Sequence, residues 1–227
     1  MRIKIIVDST ADLVAQSAAR VTIVPLTIRF GDREFVDGVT IDSRKFYEML
    51  VSGEVLPTSS QPTPVAFEEA YEKATADGSE VVVITISSRL SGTYQSATIA
   101  AEDYPGVYVV DSRSAATGAG VLTEYALRLV QQGLSGEEIL KELMEKRSKV
   151  RLYAVLDTLE YLKKGGRINS ATAVVGGMLN IKPIISMKDG ELQAESKVRG
   201  SKKALKAIMD LSKEKMGADK DQYRVLF

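Results

Sequence analysis

The stretch that decides the fold is VVVITISSRLSGTYQSA, residues 81–97. Its first six residues are apolar or β-branched, as in a strand buried on both faces. Hydroxyl side chains and a glycine follow, and then a helical pattern begins. The sequence therefore predicts a strand, a tight loop and a helix start. A helix N-terminus carries unpaired N–H donors and about +0.5 of an elementary charge, and Ser87, Ser88, Ser91 and Thr93 add hydroxyls there. We predict that this loop holds a carboxylate or a phosphate.

Composition limits the chemistry open to the chain. The 227 residues are 44% hydrophobic and 26% charged, which is typical of a globular protein. Lys+Arg and Asp+Glu are both 30, so no basic surface is expected for nucleic acid. Cysteine and histidine are absent, which excludes disulfides, thiolate zinc sites and a Ser-His-Asp triad. A metal would need oxygen ligands alone, and we predict none. With no signal peptide and no apolar run of about 20 residues, we expect a cytoplasmic protein without stable membrane insertion.

Strands alternate with helices over residues 1–150, which favours a doubly wound, mainly parallel sheet. Over residues 151–227, paired strands followed by a helix favour a second α+β domain with a mostly antiparallel sheet. That domain is expected to contain an apolar helix over residues 171–179. Residues 221–227 have the pattern of a strand that enters a core, so we expect the second domain to be incomplete at its C-terminus.

Polar loops follow three of the predicted strands, at residues 8–12, 87–93 and 111–112. Ligands of parallel sheets bind beyond the carboxyl ends of the strands, so we expect these loops at one edge. Ser9 or Thr10 is expected to cap the next helix, with Asp12 in its first turn. The segment PTSSQPTP, residues 57–64, is predicted as a second hydroxyl-bearing loop, with Pro64 as the first residue of a helix.

Six motifs occur in order along the chain: VDSTAD (7–12), SSQP (59–62), SSRLSGTYQSA (87–97), DS (111–112), LKKGGRI (162–168) and LNIKPI (179–184). Together they resemble the DegV family, whose members are two-domain bacterial lipid-binding proteins. The resemblance implies that the chain binds a long-chain fatty acid, with its tail buried and its carboxyl at the hydroxyl loops. A separate ATP-dependent fatty acid kinase subunit would then form the acyl-phosphate, in phospholipid metabolism. The chain itself would be a lipid-binding accessory subunit without a cofactor, not an enzyme.

The residues expected to contact the ligand each have a simpler alternative role. Ser91 could cap the helix, and Ser59 and Ser60 could stabilise their turn. Gly92 and Thr93 belong to the same loop, where the glycine either lets the backbone approach the ligand or only eases the loop. Arg167 either contacts an anion, on the ligand or on the kinase, or is a solvated surface arginine.

Two departures from the family pattern matter. Ser59 stands where the family usually has threonine, which keeps the hydroxyl and loses the methyl group. The family also carries a histidine near the ligand carboxyl in its C-terminal part, and this chain has none. We expect the missing C-terminal segment to account for it.

Two other function classes compete with lipid binding. The first is an enzyme that acts on a small phosphorylated or carboxylated metabolite through the Ser91 loop. The absence of histidine and of a P-loop pattern, with no obvious metal cluster in the sequence, counts against it. The second is a DNA-binding regulator, which zero net charge and the lack of a helix-turn-helix pattern disfavour.

Overall fold

The computed structural model describes residues 2–53, 55–168 and 180–215. The chain divides into two compact units, residues 1–150 and 151–227. The predicted helix over residues 171–179 and the predicted strand over residues 221–227 lie outside the described residues. Within the described part, no helix is both long enough and apolar enough to cross a membrane.

The first unit alternates strands and helices. Its strands are β1 (Ile3–Asp8), β2 (Thr22–Val24), β3 (Thr27–Phe30), β4 (Arg33–Val36), β5 (Thr58–Ser60), β6 (Glu80–Thr85) and β7 (Val107–Asp111). Its helices are α1 (Ala15–Ala18), α2 (Ser43–Ser52), α3 (Pro64–Thr75), α4 (Thr93–Ala101), α5 (Ala116–Gln131) and α6 (Gly136–Lys146), and a 3₁₀ turn (Arg147–Lys149) follows α6.

A four-stranded parallel sheet with the order β2-β1-β6-β7 forms the centre of this unit. Successive residues of β6 alternate between its two faces, because the side-chain period of a strand is two. Val82 and Ile84 pack on one face in a cluster that includes residues of α5 and α6. Val81 and Val83 pack on the other face in a cluster that includes residues of α3 and α4. Both faces are thus covered, and the predicted doubly wound parallel sheet is confirmed.

A smaller antiparallel sheet with the order β4-β3-β5 belongs to the same unit. Pro25 separates β2 from β3, as expected for a residue that cannot donate to a central ladder. Gly31, with a φ of 59°, turns the chain between β3 and β4. Residues 58–60, predicted as loop, form the edge strand β5, and an edge is where neighbouring prolines are tolerated.

The second unit is α+β, with an antiparallel sheet in the order β10-β9-β8. Its strands are β8 (Tyr153–Val155), β9 (Ile181–Lys188) and β10 (Glu191–Arg199), and its helices are α7 (Glu160–Lys164) and α8 (Ser201–Lys215). Asp189 and Gly190 join β9 to β10 with φ values of 50° and 84°. Such a pair of positive φ values is what a tight two-residue hairpin requires. The predicted antiparallel sheet is confirmed.

The expected cap of the first helix was wrong. The helix α1 begins at Ala15, and its N-cap Val14 makes no side-chain hydrogen bond. The hydroxyl of Ser9 instead donates to Asp37 Oδ2 at 2.7 Å. The hydroxyl of Thr10 donates to Asp8 Oδ1 at 2.5 Å. A tertiary partner, Asp37, thus engages the Ser9 hydroxyl, and a local partner, Asp8, engages the Thr10 hydroxyl.

Candidate functional site

The carboxylate of Asp8, at the end of β1, organises the polar edge of the parallel sheet. Its Oδ2 atom accepts a hydrogen bond from the Ile86 N–H at 2.7 Å, directly after β6. Its Oδ1 atom accepts from the Thr10 N–H at 2.9 Å. Burial raises the pKa of this carboxyl above its usual value, and the hydrogen bonds from Thr10 and Ile86 oppose that rise. Asp8 therefore fixes the point at which the loop of residues 87–93 leaves the sheet.

The last residue of β7 and the loop after it form hydrogen bonds with Ser88 and Ser87, the first two serines of the candidate site. Ser88 donates to the Asp111 carboxylate, with its N–H at 3.1 Å and its hydroxyl at 2.6 Å. The N–H of Ser87 donates to the Ser114 carbonyl at 2.8 Å, and the Ser87 side chain is buried. Of the four hydroxyl residues that the sequence predicted at the N-terminus of α4, Ser87 and Ser88 thus have partners within the protein.

Ser91 and Thr93 form a pair of hydroxyls at the start of α4. Their oxygens lie 2.9 Å apart, and the Thr93 N–H donates to Ser91 Oγ at 3.3 Å. Gly92 is the N-cap residue and makes no side-chain cap, whereas Ser91 accepts the N–H of Thr93, the first residue of the helix, so Ser91 also helps to satisfy the helix N-terminus, which was its alternative role. One hydroxyl proton serves the contact between the two oxygens, so the pair retains one proton for another acceptor.

Ser59 and Ser60 lie on β5, where they pair with Ile28 and Thr27 of β3. Both serines are exposed. Ser59 lines a cavity of about 260 Å³, whose other lining residues are Thr10, Leu26, Ile28, Asp37, Phe46, Pro57 and Thr58. The cavity thus combines apolar side chains with hydroxyls and one carboxylate. Ser91, Gly92 and Thr93 are not among its lining residues.

Gln61 connects the two hydroxyl-bearing segments, and sequence reasoning gave it no role. Its Nε2 atom donates to the hydroxyl of Ser96, on α4, at 2.9 Å. The same side-chain amide lies against Gly92. The structure therefore brings the segment of Ser59 and Ser60 to the first turns of α4. No pattern in the sequence pairs Gln61 with Ser96. Only their membership of the motifs at residues 59–62 and 87–97 could have suggested a shared role.

Arg167 belongs to the second unit, after α7. Its Nη1 atom donates to the Gly165 carbonyl, and the residue is exposed. Gly166 precedes it with a φ of 72°, a conformation that favours glycine. Among the residues that the structure describes, no group of three or more His, Cys, Asp or Glu side chains could hold a metal ion.

The fold and this edge define an α/β protein that gathers serine and threonine hydroxyls at the carboxyl ends of parallel strands. A family model described as "Uncharacterised protein, DegV family" matches residues 2–227. A DegV domain-containing protein of Caldanaerobacter subterraneus is 39% identical over 216 residues, which are 93% of this chain and 77% of that relative. The chain therefore belongs to the DegV family.

Solved structures are similar over nearly the whole chain. A fatty-acid-binding DegV family protein from Thermus thermophilus has a TM-score of 0.85 and 36% identity, over 95% of this chain and 78% of that one. The Streptococcus pneumoniae Fatty Acid Kinase (Fak) B3 protein, loaded with linoleic acid, has a TM-score of 0.83 and 33% identity, over 94% and 79%. These likenesses confirm the predicted family and fold.

Proposed function

We propose that this chain binds a long-chain fatty acid and presents its carboxyl to a separate ATP-dependent kinase subunit. The observation that carries the proposal is its close likeness to solved relatives that hold fatty acids, one of them a fatty acid kinase B protein. The chain would be the lipid-binding accessory subunit, with the fatty acid as its ligand and no cofactor. The chemistry would take place on the kinase.

The cavity beside Ser59 suits part of an acyl tail. Leu26, Ile28, Phe46 and Pro57 supply apolar lining. Its volume of about 260 Å³ lies just below the ~300–1,000 Å³ common for small-molecule pockets. Each buried methylene contributes about 0.8 kcal/mol, so the tail would supply most of the affinity.

The hydroxyls suit the head group, because a carboxylate leaves water at low cost only where several donors meet it. Ser91 and Thr93 share one spare proton, and Ser59, which lines the cavity, adds a further hydroxyl on a strand that Gln61 connects to the same helix; Ser60 belongs to the opposite face of that strand. Gly92 would contribute by leaving space for the Gln61 amide beside these hydroxyls. Arg167 is proposed to contact the phosphate of the product or the kinase, since a guanidinium pairs well with anions.

The contacts of Ser91 favour binding over catalysis. A serine nucleophile needs a neighbouring base, whereas Ser91 Oγ contacts the hydroxyl and the N–H of Thr93. A hydroxyl is not a base at neutral pH. We therefore place the carboxyl, and not a reacting ester, at this loop.

The proposal is tested by denaturing the purified protein and identifying the released lipid by mass spectrometry. We expect close to one equivalent of long-chain fatty acid, and rebinding after removal of the lipid. Preparations from several hosts that release no lipid, together with a delipidated protein that binds none, would contradict the proposal.

A further inference from the structure

Gln61 is a surface residue, yet its side chain forms a hydrogen bond with a buried residue. The residue is exposed, yet its amide nitrogen donates to Ser96 Oγ at 2.9 Å, and Ser96 is only 3% exposed. A long, flexible side chain loses conformational entropy when it is held in this way. The hydrogen bond joins the end of β5 to the second turn of α4 across 35 residues of sequence.

Gly92 is explained by the same contact. Its φ of −74° and ψ of 7° are accessible to any residue, so backbone conformation does not require glycine there. A Cβ atom at this position would lie 2.1 Å from Gln61 Oε1 and 2.7 Å from both Cδ and Nε2 of the same amide. All three of the nearest atoms thus belong to the Gln61 amide. The absence of a side chain at position 92 is thus what lets the Gln61 amide reach Ser96.

The two ends of this contact carry the hydroxyls of the proposed carboxyl site. Ser59 and Ser60 lie on β5, an exposed edge strand of three residues, and Gln61 is the first residue after it. Ser91 and Thr93 flank Gly92. Ser59 and Ser60 belong to the smaller antiparallel sheet, whereas Ser91 and Thr93 lie at the start of α4, so the Gln61 contact is a direct link between the two sets of hydroxyls.

We propose that Gln61 is a positioning residue that holds the Ser59 segment and the Ser91–Thr93 pair at the separation that one carboxylate spans. It acts through the hydroxyls and not on the ligand. The inference rests on the proposed function, because it concerns the same carboxyl site.

The test compares two lipids that differ only at the head group, oleic acid and oleyl alcohol, in titrations of the delipidated full chain. In Gln61→Ala, we expect the affinity for oleic acid to fall about three- to tenfold, the range of one neutral hydrogen bond. The affinity for the alcohol should stay within about twofold, because the tail site is unchanged. Gln95→Ala is the matched control, since Gln95 is an exposed glutamine on the same helix.

Gly92→Ala gives an independent route to the same loss, because the new methyl group would displace the Gln61 amide without removing it. The variant Gln61→Ala/Gly92→Ala should bind oleic acid no more weakly than Gln61→Ala alone, since the clash is then gone. Circular dichroism checks that each variant is folded.

Several results would overturn the inference while leaving the proposed function intact. These are an unchanged oleic acid affinity in folded Gln61→Ala, equal losses for the acid and the alcohol, and additive losses in the double variant. A wild-type protein that binds neither lipid would overturn the proposed function, and this inference with it.

Discussion

Replacing Ser91 by alanine is expected to weaken fatty acid binding and leave the fold intact. The substitution removes the oxygen that lies 2.9 Å from Thr93 Oγ1 and accepts the Thr93 N–H at 3.3 Å. The second contact is long, and Ser91 is half-buried, so water can replace it. Thr93 is fully buried and its hydroxyl loses Ser91 as a partner, so we expect the free energy of unfolding to fall by about 1–3 kcal/mol, with the protein still folded.

The effect on ligand binding should be about as large, because a hydrogen bond to a charged group contributes about 1.5–3 kcal/mol. At 1.4 kcal/mol per factor of ten, the dissociation constant for a fatty acid should rise by about ten- to hundredfold. Tail burial is untouched by the substitution, so binding should weaken without disappearing.

Titration calorimetry of the delipidated protein measures this change directly. Thr98→Ala is the control, because Thr98 lies on the same helix and its hydroxyl donates to the Tyr94 carbonyl within that helix. The control should bind within about twofold of wild type, a difference of less than 0.5 kcal/mol. A Ser91→Ala dissociation constant equally close to wild type would refute the reasoning and remove Ser91 from the carboxyl site.

Three further predictions concern stability. Tyr71→Phe should cost about 0.5–1.5 kcal/mol in urea denaturation, because the buried Tyr71 hydroxyl donates to the Ala97 carbonyl at 3.0 Å; an unchanged midpoint would argue against that bond. Ser135→Ala should cost about 1 kcal/mol in thermal denaturation, because it removes the capping box with Glu138; the same melting temperature would count against the cap. Burial raises the pKa of Asp8 above 3.8, so the folded state keeps a proton that the unfolded chain has released. Protonated Asp8 therefore stabilises the folded wild-type protein in full below the unfolded pKa, and this stabilisation is lost as the pH rises through the folded pKa. The asparagine in the variant Asp8→Asn does not titrate. The free energy of unfolding of wild type, measured relative to that variant, should therefore fall as the pH rises from the unfolded to the folded pKa. A difference between the two proteins that does not change with pH would contradict this prediction.

Sequence patterns predicted the central elements well, because local physics decides them. The run over residues 81–86 is too apolar to lie at a surface, and the structure places β6 at Glu80–Thr85 between β1 and β7. Pro64 was expected at the first turn of a helix, and α3 begins there with Thr63 as its cap. Ser135 and Glu138 form a capping box at the start of α6. Each of these features depends on residues a few positions apart.

The features that sequence reasoning missed depend on distant partners. Ser9 was expected to cap a helix, but its hydroxyl donates to Asp37, 28 residues away. Ser88 was expected among the ligand donors, but it donates to Asp111, 23 residues away. Gln61 received no role, because its partner Ser96 is 35 residues away. Hydroxyls and amides have several candidate partners, and only the tertiary fold selects one of them.

The most direct test of the account is a crystal structure of the protein with a long-chain fatty acid bound. We predict that the ligand carboxylate lies about 2.5–3.0 Å from the hydroxyl oxygens of Ser59 and Ser91. The first methylenes of its tail should contact the apolar lining of the cavity beside Ser59. A carboxylate that lies away from both serines, or a tail that leaves this cavity empty, would contradict the account.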